Sequence, residues 1–146
     1  KAYAKSKKIC KKFKMNKDEL RSILKNINSI AIIGASPKQE RDSYKVMKFL
    51  IEYGFKVFPV NPNYLDHEIL GEKCFSNLKD IDQKIDMVDI FRPKEFVNKI
   101  TKDAIKAGVK VIWTQEGIID KKSSFMAKNK GIKFVMDECP MKVLMN

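Results

Sequence analysis

The chain has 146 residues, 44% of them apolar, which is the length of one domain with enough hydrophobic side chains to fill a core. Charged residues make up 33%, and no apolar run approaches the roughly 20 residues that a bilayer requires, so no membrane association is expected. The net charge of +12 suggests nucleic acid, yet eight lysines and no acid fall within residues 1–17, which leaves only +4 for the rest.

The basic residues are 27 Lys and 3 Arg, so the arginine-rich signature of proteins that read guanine is missing and no specific nucleic-acid partner is expected. Three widely spaced cysteines (Cys10, Cys74 and Cys139) and a single histidine, His67, offer neither a CxxC pair nor zinc-ligand spacing. Free thiols suit a reducing, cytoplasmic setting. Because the chain starts at Lys1, an upstream segment is expected, and a targeting peptide there would not be visible.

Residues 1–15 read as a basic, flexible tail and residues 16–146 as a single domain. Asn16 followed by Glu19 three residues later has the pattern of a capped helix start, with Leu20, Ile23, Leu24 and Ile27 at helical spacing behind it. Ile30–Ile33 is a short apolar strand ending at Gly34. A helix is predicted from about Ser43 to Tyr53, stopped by Gly54. Lys56–Val60 is a second strand whose Pro59 suggests its very end, and Asn61–Tyr64 is a turn. After an excursion through Gly71 and Cys74 come a strand at Met87–Phe91, a helix from Pro93 to Ala107, a strand at Val109–Thr114, a helix near Asp120–Lys130 and a strand at Ile132–Met136.

Strands this apolar, alternating with helices, predict an α/β chain: a three-layer, doubly wound Rossmann-like fold on a mostly parallel five-stranded sheet. Ligands of such sheets bind beyond the carboxyl ends of the strands, so function is read from five exits. At the first, Gly34 permits a turn with amides close to a ligand, Ala35 and Ser36 keep the loop narrow, and Lys38 and Arg41 add charge before Ser43 and Tyr44 open the helix. A cationic loop at a helix start suits a polyphosphate. The GxGxxG fingerprint is absent, Asn61 stands where a dinucleotide site places an acid for the ribose, and no P-loop occurs.

Ile32-Ile33-Gly34-Ala35-Ser36-Pro37, Val60-Asn61-Pro62, Ile69-Leu70-Gly71, Val88-Asp89-Ile90-Phe91-Arg92, Trp113-Thr114-Gln115-Glu116-Gly117 and Met136-Asp137-Glu138-Cys139-Pro140, in this order, resemble the small CoA-binding proteins. That family is related to the CoA-binding domain of the succinyl-CoA synthetase α subunit. The resemblance implies coenzyme A as the bound cofactor. By position, Gly34, Ala35, Ser36, Lys38 and Arg41 would meet the phosphates, and Val60, Asn61 and Pro62 would flank the adenosine. Phe91 and Arg92 would continue the wall, while Gln115, Glu116, Gly117 and Ile118 would border the pantetheine path. The chain departs from the family at Glu138, where a basic residue is frequent, and at Pro93, where many members carry arginine.

Nothing in the chain marks it as an enzyme. His67 lies between two acids in a loop and is expected to be solvated. Cys139 is either a packing residue or a thiol that forms a mixed disulfide with CoA under oxidation. Asp89 is expected to bond nearby backbone and Trp113 to pack in the core. The reading is therefore a CoA or acyl-CoA binding protein acting as sensor, carrier or subunit, with a protein partner or a homodimer as further associations. The alternative is a nucleotide-dependent enzyme using NAD(P) or a CoA thioester.

Overall fold

Five parallel strands in the order β2-β1-β5-β6-β7 form the central sheet of a computed structural model that describes residues 14–145. They are β1 (Ser29–Ile33), β2 (Lys56–Val60), β5 (Met87–Ile90), β6 (Val111–Thr114) and β7 (Lys133–Val135). A two-stranded hairpin, β3 (Glu68–Ile69) and β4 (Glu72–Lys73), stands apart from the sheet. Most of the basic tail, Cys10 included, lies outside the described residues.

Alternation along the strands sends successive side chains to opposite faces. Ile30, Ile32, Met87, Trp113 and Val135 point to one side, where they meet α1 (Lys17–Lys25), α2 (Asp42–Tyr53) and α5 (Pro140–Met145). Ala31, Val88, Ile90, Ile112 and Phe134 point to the other, against α3 (Val97–Ala107) and α4 (Lys121–Lys128). The result is the expected three-layer α/β sandwich. No helix among the described residues is long and apolar enough to cross a membrane.

The start of α1 follows its sequence pattern. Asn16 Oδ1 accepts from the Glu19 N–H at 2.9 Å and Asn16 Nδ2 donates to Glu19 Oε1 at 2.9 Å, so one orphan amide and one side chain are satisfied reciprocally. Other boundaries moved by a few residues. Pro93 does not open α3; it precedes a 3-10 turn, Lys94–Phe96, which feeds the helix at Val97.

Pro59 sits within β2, paired with Ile32, rather than marking a strand's end. The strand order explains this, since β2 is the outermost strand and the Pro59 carbonyl faces outward to accept from Phe75 N–H at 2.9 Å. A residue's nitrogen and carbonyl lie on the same side of a strand, so the missing donor takes nothing from the β1 ladder.

At the amino end of the sheet, Asp86 ties three elements together. Its Oδ2 accepts from the N–H groups of Asn28 at 2.8 Å and Ser29 at 3.3 Å, while its own N–H donates to Ser29 Oγ at 2.9 Å. Burial pushes this carboxyl up, but the two backbone hydrogen bonds and the nearby Lys110 and Lys84 outweigh it and hold it below the ordinary aspartate range. A lowered folded value means that the stabilisation is complete above the unfolded aspartate value, about pH 4, and drains away as pH falls below it. Asp86→Ala is expected to cost about 2 kcal/mol at pH 7, with the difference from wild type shrinking in urea melts at acid pH.

Candidate functional site

Strand order reverses between β1 and β5, and the chain leaves both strands at Gly34 and Phe91. Open sheets of this kind leave a crevice at such a switch point. Gly34, at φ +91°, makes the crevice possible: a Cβ there would lie 2.5 Å from the Phe91 carbonyl oxygen and 3.1 Å from Arg92 Cδ. The Phe91 N–H donates to the Ile33 carbonyl at 2.8 Å, so the two exits are stitched together directly below the turn.

The loop after Gly34 is held from behind. Gly34 N–H and Ala35 N–H both donate to the Val60 carbonyl, at 2.9 and 3.3 Å, and Asn61 Nδ2 donates to the Ala35 carbonyl at 2.9 Å. Asn61 Oδ1 accepts from Asn63 N–H at 3.0 Å, so Asn61 clamps one exit loop to the next. The amides of Gly34 and Ala35, read from sequence as phosphate donors, are thereby engaged within the fold. What faces outward is the next part of the loop, where Lys38 N–H donates to Ser36 Oγ at 3.2 Å and leaves the hydroxyl hydrogen to donate elsewhere. Arg41 then heads α2 without a side-chain cap, so the amides of Asp42 and Ser43 lack the carbonyl partners that a helix interior would supply, while Tyr44 N–H already donates to the Arg41 carbonyl at 3.1 Å.

Three adjoining recesses run along this edge. The central one, about 610 Å³, is lined by Gly34, Ser36, Lys38, Arg41, Ser43, Asn61, Phe91 and Arg92, together with Glu40, Asp42, Asn63, Tyr64 and Pro93. Its three cations outnumber its two carboxylates. On the β2 side a narrower slot of about 360 Å³ shares Gly34, Asn61, Asn63 and Arg92 with it. That slot adds the apolar Ile33, Val60, Pro62, Leu78, Phe96 and Ile100 and the polar Ser76, Asn77, Lys99 and Asp103. The Arg92 guanidinium carbon stands 4.1 Å from the centre of the Phe96 ring, which fixes the charge at the junction of the two. On the β6 side a recess of about 220 Å³ is lined by Asp42, Lys45, Val46, Phe91, Gln115, Glu116, Cys139 and Met141, with Lys142 paired to Glu116 at 2.8 Å on its rim.

Most of the residues read from the sequence therefore meet on one edge, but four line none of these recesses. Ala35 is buried, and Tyr44 packs on the α2 face of the core. Gly117 turns away, its N–H donating to Asp137 Oδ1 at 2.7 Å, and Ile118 packs on the opposite core while its carbonyl accepts from Thr114 Oγ1 at 2.7 Å. Asp89, expected from sequence to bond nearby backbone, instead accepts at Oδ1 from the Gln115 side chain, through Nε2. Trp113 is fully buried in the core as expected, with Nε1 donating to the Glu138 carbonyl at 2.9 Å. His67 lies exposed in the turn before β3.

Cys139 sits at the head of α5 and is buried. Burial pushes its thiol above the usual range, the backbone amides of Lys142 and Met141 pull the other way, and the nearby Asp89 and Glu116 add to the rise. Such a thiol stays protonated at neutral pH and is a poor nucleophile.

Phe96, Leu78 and Asp42 went unread in the sequence. The signal for Phe96 in the sequence is its position, five residues beyond the Phe91 exit; the structure leaves this large aromatic 41% exposed at the slot.

A family model described as a CoA binding domain matches residues 28–145, the whole of this edge and the sheet beneath it. The chain belongs to the CoA-binding domain family. Similarity to individual proteins follows the same lines. The Bacillus subtilis protein YneT is 35% identical over 124 residues, 85% of this chain and 90% of that one. The α subunit of ADP-forming acetate–CoA ligase I from Pyrococcus furiosus is 39% identical over 91 residues, 60% of this chain but only 20% of the subunit. A protein of Pyrococcus horikoshii solved as hypothetical superposes on this CoA-binding domain with a TM-score of 0.84 at 39% identity, covering 90% of this chain and 91% of that one.

Proposed function

We propose that this domain binds coenzyme A, free or acylated, along the three recesses of its sheet edge. The observation that carries the reading is the junction at Arg92, where a cationic crevice at the uncapped start of α2 opens into a slot with an apolar side of Val60, Pro62, Leu78 and Phe96 and a polar side of Asn77, Lys99 and Asp103. Phosphates suit the first, through Ser36, Lys38, Arg41 and the first-turn amides, with Ser43 behind them. A purine ring suits the second. The pantetheine arm then runs past Phe91 toward Gln115, Glu116 and Cys139. The engaged amides of Gly34 and Ala35 support a role for that turn in shape rather than in direct phosphate contact.

The chain corresponds to a fifth of the ligase subunit that it resembles. On this reading the domain holds CoA as a carrier, sensor or subunit. A cytoplasmic setting accords with the free, buried thiols of Cys74 and Cys139.

Calorimetric titration tests the reading. CoA is expected to bind wild type, and Arg92→Ala to weaken it about tenfold, because one charge-assisted contact contributes roughly 1.5 kcal/mol. The loss should shrink in high salt. NAD binding in place of CoA, or no binding of CoA at millimolar concentration, defeats it.

A further inference from the structure

Beneath the β6-side recess lies a polar contact for which the sheet has no evident structural need. Asp89 sits in the middle of β5, paired with Ile32 of β1 and Trp113 of β6, and has no solvent exposure. Its Oδ1 accepts from Gln115 Nε2, and its Oδ2 has no hydrogen-bond partner among the described residues. A buried carboxyl with an unmatched oxygen destabilises a fold relative to an apolar side chain of similar size.

Its one side-chain partner, Gln115, is the first residue past β6, half-buried, and lines the recess with Val46, Phe91 and Cys139. A carboxamide has a donor end and an acceptor end. With the donor end anchored on Asp89, the oxygen is the end left for the recess. Burial pushes the Asp89 carboxyl well above the ordinary range and so favours the neutral acid, while the Gln115 hydrogen bond pulls the other way. With the acid proton on Oδ2, Oδ1 accepts from Gln115 in the neutral form as in the charged one.

We propose that Asp89 is a positioning residue that holds the Gln115 carboxamide with its oxygen toward the ligand, so that this end of the cleft selects a group bearing an N–H or S–H donor. Within the CoA reading, on which this rests, the donors are the amides and the terminal thiol of the pantetheine arm. Val46, Phe91 and Met141 line the recess together with the charged Asp42, Lys45, Glu116 and Lys142. An acceptor partly withdrawn from water there gains more from a matched donor than one in bulk solvent.

The test titrates CoA, desulfo-CoA and adenosine 3′,5′-bisphosphate, the nucleotide end without the arm, into wild type, Asp89→Leu, Asp89→Asn and Gln115→Met. Asp89→Leu and Gln115→Met are expected to bind CoA about fivefold more weakly while holding the bisphosphate as wild type does. Asp89→Asn, which keeps an oxygen acceptor, should retain CoA affinity within about twofold. A parallel loss with desulfo-CoA identifies the donor as an amide, and no loss identifies it as the thiol. Wild-type CoA affinity in both Asp89→Leu and Gln115→Met, or an equal loss for the bisphosphate, overturns the positioning role while leaving CoA binding standing. If wild type takes up none of the three ligands, the CoA reading itself falls, and this inference with it.

Discussion

Gly34→Ala is expected to lower stability by about 3 kcal/mol, near 10 °C in melting temperature for a chain of this size, and to remove measurable CoA binding. Two costs add. An L-residue at φ +91° is strained by roughly 1–2 kcal/mol, and its Cβ would stand 2.5 Å from the Phe91 carbonyl. Relief requires β1 and β5 to separate at their exits. Both are fastened there, Gly34 N–H to Val60 and Phe91 N–H to Ile33, so separation breaks the parallel ladder at the crevice itself. Thermal melting and a CoA titration check the two halves, and an alanine variant that melts like wild type contradicts the geometry.

Trp113→Ala should be costlier, about 4 kcal/mol, because the indole is the largest of the fully buried side chains and spans the face shared by α1, α2 and α5. Trp113→Phe separates packing from hydrogen bonding. It keeps most of the ring but leaves the Glu138 carbonyl without the Nε1 donor, for an expected loss of about 1–2 kcal/mol. That bond also holds the turn in which Asp137 adopts φ +59° and Cys139 is delivered to the recess. Trp113→Phe is therefore expected to weaken CoA binding as well. Urea denaturation gives the stabilities, and a loss below about 1 kcal/mol for the alanine variant contradicts the packing account.

The layers and the sheet were legible because burial writes itself into the chain. Ile30–Ile33, Met87–Ile90 and Val111–Thr114 carry apolar residues on both faces, with only Asp89 and Thr114 breaking the run, a pattern that fits a covered parallel sheet. Elements that depend on few residues were not legible. The β3–β4 hairpin has two residues per strand, and its turn places Leu70 at φ +52° beside Gly71 at φ +80°, a conformation more often marked by Asn-Gly. Helix α5 is six residues long and begins at Pro140, which directly after a strand exit reads equally well as a turn.

At the candidate site, residue types predicted which loops converge but not how their hydrogen bonds are spent. By residue type Gly34 and Ala35 are free to donate, yet a single carbonyl on β2 takes both amides. Asn61 read as a departure from a ribose-binding acid, whereas in the fold it braces two loops. These assignments depend on contacts between residues 26 positions apart in the chain, which local pattern does not encode.

Pro59 has a consequence for how copies of the molecule can meet. With no amide hydrogen at Pro59, and with Phe75 already bridging Pro59 and Asn61, the outer flank of β2 offers an arriving chain no open row of donors and acceptors. Lateral growth of the sheet into a fibre is blocked on that flank. It is left only β7, three residues long and starting at the exposed, charged Lys133, a poor seed for templated aggregation.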